Sequence, residues 1–196
     1  MTTEKSKTIG SSFFSILHVT APAVALLLCL AAAPVMARAD DEADRRALDL
    51  PSPACDSLQV PAGSKLSLHA YALGVQIYQW NGTKWAFIAP AATLFADPCY
   101  EEQIGTHYAG PTWESDDGSK VVGARLAACT PYRGAIPWLL LGGNSPSGRG
   151  KFGNVTHIQR VNTIGGTAPA EAGAFLDDEA RVPYTAEYYF SRGSKR

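Results

Sequence analysis

Hydrophobic and polar positions alternate with a period of two along most of this chain, the spacing that places successive side chains on opposite faces of a strand. From Lys65 to Ala72, the residues Leu66, Leu68 and Ala70 alternate with polar or aromatic neighbours, and Val75 to Trp80 continues the pattern. Asn81-Gly82 follows, then Thr83 to Ile88, a second aromatic-rich alternating run. Asn-Gly between two such runs predicts a tight hairpin, because both residues tolerate positive φ. Trp80 and Trp85 then pair across it. A second hairpin is predicted at Asp116-Asp117-Gly118-Ser119, joining Tyr108–Glu114 to Lys120–Leu126.

Ile136 to Leu141 is a continuous apolar run, and Pro137 places it at an edge or at a strand start. Gly142 to Gly150 has a loop composition. Val155 to Thr163 alternates again, and Tyr184, Ala186, Tyr188 and Phe190 share one face of the last strand. The one helical indication is short, at Pro169–Leu176. Strands recur about every ten residues with Gly and Pro between them, and no long helical segments separate them. That spacing predicts an all-β, single-domain antiparallel sandwich or barrel with at most one short helix.

The N-terminus changes the picture of where the domain works. Lys5 and Lys7 precede an apolar run from Ala23 to Ala33, followed by Ala37-Arg38-Ala39. A basic start, a short apolar centre and small residues at the cut describe a secretory signal peptide over residues 1–39, with cleavage before Asp40. The run is shorter than the roughly 20 residues that span a bilayer. Residues 40–54 are charged, then proline-containing, and are expected to form a flexible leader to a domain at 55–192. The expected location is secreted or periplasmic, with no membrane attachment after cleavage.

The 17 basic and 18 acidic residues of the chain, less Lys5, Lys7, Arg38 and Glu4, leave a net charge of −3. With no basic excess to displace counterions, nucleic acid is excluded as a partner. Cys55, Cys99 and Cys129 survive cleavage, and in an oxidising compartment one disulfide plus one free thiol is the simplest count. Cys55 is expected to pair with Cys99 or Cys129. No C-x-x-C, H-E-x-x-H or G-x-S-x-G occurs, so no cofactor is expected.

Three stretches are distinctive: Gly74–Tyr78 leading to Trp85 and Pro90, then GTHYAGPTWESDDGSKVVG at 105–123, then GKFGNVTHIQRVNTIGGTAP at 150–169. Over about residues 58–190 they resemble the secreted family of domain of unknown function 3455, found in bacteria and fungi. The resemblance implies no activity. A dehydrogenase name attached to some fungal relatives has no basis here, since no G-x-G-x-x-G links a strand to a helix. Family members often carry Cys where this chain has Gln79, and another near Ala172 or Gly173. Their loss is consistent with a missing disulfide, replaced among Cys55, Cys99 and Cys129.

Candidate chemistry is sparse. His107, Glu114 and Arg160 are the candidate catalytic set of an extracellular hydrolase-like enzyme, with His107 and Glu114 as acid–base partners. Positions seven apart fall on opposite strand faces, so that pairing needs Pro111 or a bulge to change the phase. Tyr108, Trp113, Asp117, Gln159 and Asn162 are candidate ligand-binding residues, with Arg160 and Asn162 on one face and Gln159 on the other. An Arg fork beside Asn suits a carboxylate or a sugar hydroxyl. A metal site would use His107 with His69 or His157. The four Trp and eight Tyr residues exceed what a small core needs, and exposed aromatics stack on sugar rings. The leading expectation is therefore a non-catalytic binding or cell-surface module for polysaccharide or envelope components.

Overall fold

A computed structural model describes residues 48, 50, 51 and 53–193. The signal peptide expected at 1–39 lies outside the described residues, as do most of the leader and the last three residues. Eight strands follow in chain order: β1 (Lys65–Trp80), β2 (Trp85–Phe95), β3 (Gln103–Tyr108), β4 (Thr112–Ser115), β5 (Lys120–Cys129), β6 (Trp138–Ser147), β7 (His157–Gly165) and β8 (Glu179–Arg192). Each pairs antiparallel with the next, and β8 pairs back onto β1, so the sheet closes into a barrel. Closure follows from the meander: short turns favour antiparallel neighbours, and joining first to last removes both unpaired edges.

The period-two pattern becomes an inside and an outside. In β1 the even positions turn inward, and Ala70, Ala72, Gln76 and Tyr78 are buried. In β8 the inward set is Tyr184, Ala186, Tyr188 and Phe190, the face expected from the sequence. Phe152, Val155, Leu94 and Phe190 belong to the inner core cluster with them.

A second apolar cluster lies outside the barrel wall. Leu50, Cys55 and Leu58 pack on Trp138, Leu140 and Val161. The helical turn Asp56–Leu58 presents Leu58 to this cluster. Gln159, outward on β7, donates from Nε2 to the Leu58 carbonyl at 2.7 Å. Cys55 is disulfide-bonded to Cys129, and Cys99 is an exposed free thiol. Of the stretch expected as a leader, Leu50 is thus buried against the barrel.

Several local expectations change. In the first hairpin Trp80 does pair with Trp85, with ring centroids 5.5 Å apart. The turn, however, centres on Gly82-Thr83. Asn81 donates its N–H to the Lys84 carbonyl, and its Oδ1 accepts from the N–H groups of Thr83 and Lys84. Only Gly82 there takes positive φ, at 85°. Residues 108–114 are not one strand, because Ala109-Gly110-Pro111 turns the chain between β3 and β4. Gly142–Ser147 is strand rather than loop, continuing β6 against β5. Its glycines reflect close packing, since a Cβ on Gly143 would come 2.5 Å from the Val155 carbonyl oxygen. Pro169–Leu176 forms no helix and packs on the β1–β2 hairpin, with Gly173 against the Trp80 ring.

Cross-linking residues 74 apart restricts the unfolded chain and stabilises the fold by about 2–4 kcal/mol. Cys55→Ser or Cys129→Ser is expected to lower the unfolding free energy by about that amount in urea titrations. Reductant should reproduce the loss in the unmodified protein and leave either variant unchanged.

Candidate functional site

The barrel is filled at one end and hollow at the other. Strands β3 and β4 are short, so β2 pairs with β3 only over Ala92–Phe95, and β5 pairs with β4 only over Lys120–Val122. The β3–β4 turn therefore sits low in the wall. Above it, the first half of β2 and the second half of β5 border an opening. Beneath that opening is a cavity of about 520 Å³, within the range of small-molecule pockets.

Its walls are mainly apolar, with Phe87, Pro90, Trp113, Leu139 and Leu141 among them. The polar exceptions are Gln76, Tyr78, His107, Arg125, Arg160 and Tyr188. No Asp or Glu lines it.

His107 is placed by the β3–β4 hairpin. The turn at 109–111 brings it into register with Trp113, and the two rings stack at 4.2 Å. Tyr188 meets both rings edge-on at 5.4 Å. His107 Nδ1 lies 2.9 Å from the Thr112 carbonyl oxygen. A carbonyl only accepts, so Nδ1 carries the proton. Burial drives the His107 pKa down to about 3, because the charged imidazolium loses its hydration. The ring is neutral at physiological pH, and Nε2 holds the lone pair.

Arg160 reaches the cavity wall from β7. Its Nε and Nη2 donate to the Pro137 carbonyl at 3.2 and 2.8 Å. Among the described residues, the ion pairs are His69–Glu187, Lys120–Glu114 and Arg181–Glu179. Arg160 and Arg125 take part in none of them. Close by, Gln76 Nε2 and Trp113 Nε1 are buried without an acceptor, and the Tyr184 and Tyr188 hydroxyls lie near each other, Gln76 and Arg160 without a well-formed hydrogen bond. Burial raises the pKa of both tyrosines, while the positive charge of Arg160 pulls the other way.

The structure thus brings His107, Trp113 and Arg160 together on one cavity and leaves the other candidates elsewhere. Glu114 registers with Thr106 and faces outward, since the hairpin turn puts Trp113 on the His107 face instead. There its carboxylate accepts from Tyr108 Oη at 2.7 Å and pairs with Lys120 at 3.0 Å. Its pKa is lowered, first by Tyr108 and then by Lys120.

Asp117 clamps a turn. Its carboxylate accepts from the Ser119 hydroxyl at 2.5 Å and from the N–H groups of Ser119 and Lys151 at 2.9 Å. These bonds, that of the Ser119 hydroxyl foremost, hold its pKa at about 2. Asn162 does not share the face of Arg160. It sits at φ 49° where the β7–β8 register shifts, and it donates to Glu187 Oε1 at 2.9 Å. The bulge breaks the alternation that the sequence pattern assumed.

No histidine site for a metal is assembled. His107 points inward, whereas His69 is on the outward face of β1, 2.8 Å from Glu187 and stacked on Tyr189. His157 bonds the neighbouring Thr156 hydroxyl. Among the described residues no group of three or more His, Cys, Asp or Glu is placed to hold a metal ion.

Gln76, Tyr78, Arg125 and Tyr188 also line the cavity and are not among the candidates that the sequence pattern offers. Gln76 carried a usable signal, as a polar residue on the inward phase of an apolar strand.

The sequence matches the profile of the family described as Protein of unknown function (DUF3455) over residues 61–192. The chain belongs to this family. The matched segment includes every strand and every residue lining the cavity. No curated protein and no solved structure matches the chain significantly.

The depressed pKa of His107 sets a pH dependence. The folded state binds its proton only near pH 3, while the unfolded chain binds it near pH 6.5. Stability from this residue is therefore complete above pH 6.5 and declines as pH falls toward 3, by up to about 1.4 kcal/mol per unit. Urea unfolding at pH 7 and pH 5 should show this slope, and His107→Gln should flatten it. The lowered carboxylates Asp97, Glu114 and Asp117 act in the more acidic range, where carboxylates take up protons.

Proposed function

We propose that this family member is a non-catalytic binding protein working outside the cytoplasm, and that it takes a small, largely apolar molecule into the open end of its barrel. One observation carries the reading: a 520 Å³ apolar cavity is bordered by buried polar atoms that the protein leaves without partners. Each such atom costs about 1–3 kcal/mol when unsatisfied, and a bound molecule with matching groups removes that cost. The extracytoplasmic setting is supported by the Cys55–Cys129 disulfide and by the signal-like N-terminus. Among the described residues no helix is long and apolar enough to cross a membrane.

The polysaccharide or envelope ligand expected from the aromatic content takes a narrower form. Trp113 and Trp138 are buried, and Trp80 and Trp85 pair with each other at the hairpin. That placement favours a compact envelope-derived or environmental molecule over an extended glycan laid across exposed rings.

The second reading is an extracellular enzyme using His107 and Arg160, which line one cavity. The acidity of His107 weighs against it. A general base works best with a pKa near the working pH, and an imidazole held at about 3 is a weak base.

The test is a fluorescence titration of the purified protein with the neutral apolar probe N-phenyl-1-naphthylamine. Saturable one-to-one binding is expected, weakened about tenfold or more by Leu139→Trp, which fills the cavity. Absence of saturable binding by this probe and by an apolar anion of the same shape, or binding indifferent to that substitution, overturns the proposal.

A further inference from the structure

The polar groups bordering the cavity are strongly biased toward donation. Arg160 contributes a guanidinium whose Nε and Nη2 are anchored on the Pro137 carbonyl and which also lies beside the Tyr188 hydroxyl. Gln76 Nε2 and Trp113 Nε1 are donors without acceptors. The Tyr188 hydroxyl on the wall can donate or accept, and it lies close to Arg160 and to the Tyr184 hydroxyl behind it. Arg125 adds a second positive charge at the exposed rim, in register with inward-facing Leu141. Nε2 of neutral His107 and the Gln76 amide oxygen are acceptors, but no carboxylate lines the walls to oppose the arginines.

A neutral apolar occupant would leave this arrangement unexplained. Gln76, Trp113, Tyr184 and Tyr188 are each 2 % exposed or less, so bulk water does not readily satisfy them. Arg160 is half-buried in a wall that holds no carboxylate to oppose its charge. A charge in that position is stabilised by an anion presenting several acceptor atoms, and the Arg fork suits a planar carboxylate.

Resting on the binding function proposed above, we infer that the cavity selects a small organic anion. Its carboxylate or equivalent acidic group lies toward Arg160 and the neighbouring donors, and its apolar body lies against Phe87, Trp113 and Leu139. Arg125 at the rim draws the anion toward the mouth.

The experiment compares two probes of matched shape in the purified protein. One is 1-anilinonaphthalene-8-sulfonate, an anion, and the other is N-phenyl-1-naphthylamine, which lacks the acidic group. The anion is expected to bind at least about tenfold more tightly, in keeping with a charge-assisted hydrogen bond. Raising the salt concentration should weaken the anion more than the neutral probe. In Arg160→Gln, the ratio of the two affinities should collapse toward one.

Equal binding of both probes by the unmodified protein overturns the anion assignment and leaves interior binding standing. Failure of both probes to bind overturns the interior reading itself. A folded Arg160→Gln protein that keeps the full preference removes Arg160 from the assignment. If that variant does not fold, the affinity ratio and its salt dependence in the unmodified protein decide the matter.

Discussion

Strand β1 pairs with β2 on one side and with β8 on the other, from Lys65 opposite Arg192 to Gln79 opposite Glu179. That seam joins residues a hundred or more positions apart, and it turns an eight-strand meander into a closed wall. Closure removes the free edges that an open sheet must protect. It also gives every strand an inner and an outer phase. On the inner phase of β1, Ala70 lies opposite Tyr188 of β8. Small residues facing large ones fill the tapered interior of a small barrel.

The unequal lengths of the strands decide where that filling stops. The β3–β4 hairpin is the shortest part of the wall, so β2 and β5 rise past it without neighbours between them. A hollow opens there in place of a packed core. The same hairpin stacks His107 on Trp113. One local turn thus shapes the opening and also sets the floor of the cavity, holding the imidazole neutral by burial. Gln76 Nε2 and Trp113 Nε1 lack acceptors within the protein, a condition that a stable core avoids. Their concentration around one hollow distinguishes that end from the apolar end around Phe152 and Phe190.

The outer cluster does separate work. Leu50, Cys55 and Leu58 cover Trp138, Leu140 and Val161, which would otherwise form an apolar patch on the barrel exterior. The disulfide to Cys129 and the Gln159 bond to Leu58 hold this cover in place. Gln159 therefore has a structural task on the outside of the strand whose inner face offers Arg160 to the cavity.

The sequence by itself determined the fold class, most strand positions, the shared face of Tyr184 to Phe190 and the Trp80–Trp85 pair. These depend on short-range alternation and turn chemistry, which are written locally. It also singled out His107, Trp113 and Arg160, but grouped His107 and Arg160 with Glu114 and set Trp113 apart from them. Only the tertiary structure decided that these three meet. It also turned Glu114 outward, set Asn162 apart through a bulge, and drew Gln76, Tyr78 and Tyr188 to the same hollow. The physical reason is phase. A single turn at 109–111 or one extra residue at Asn162 exchanges inside for outside, and closure through the β1–β8 seam then selects which distant strands share the interior.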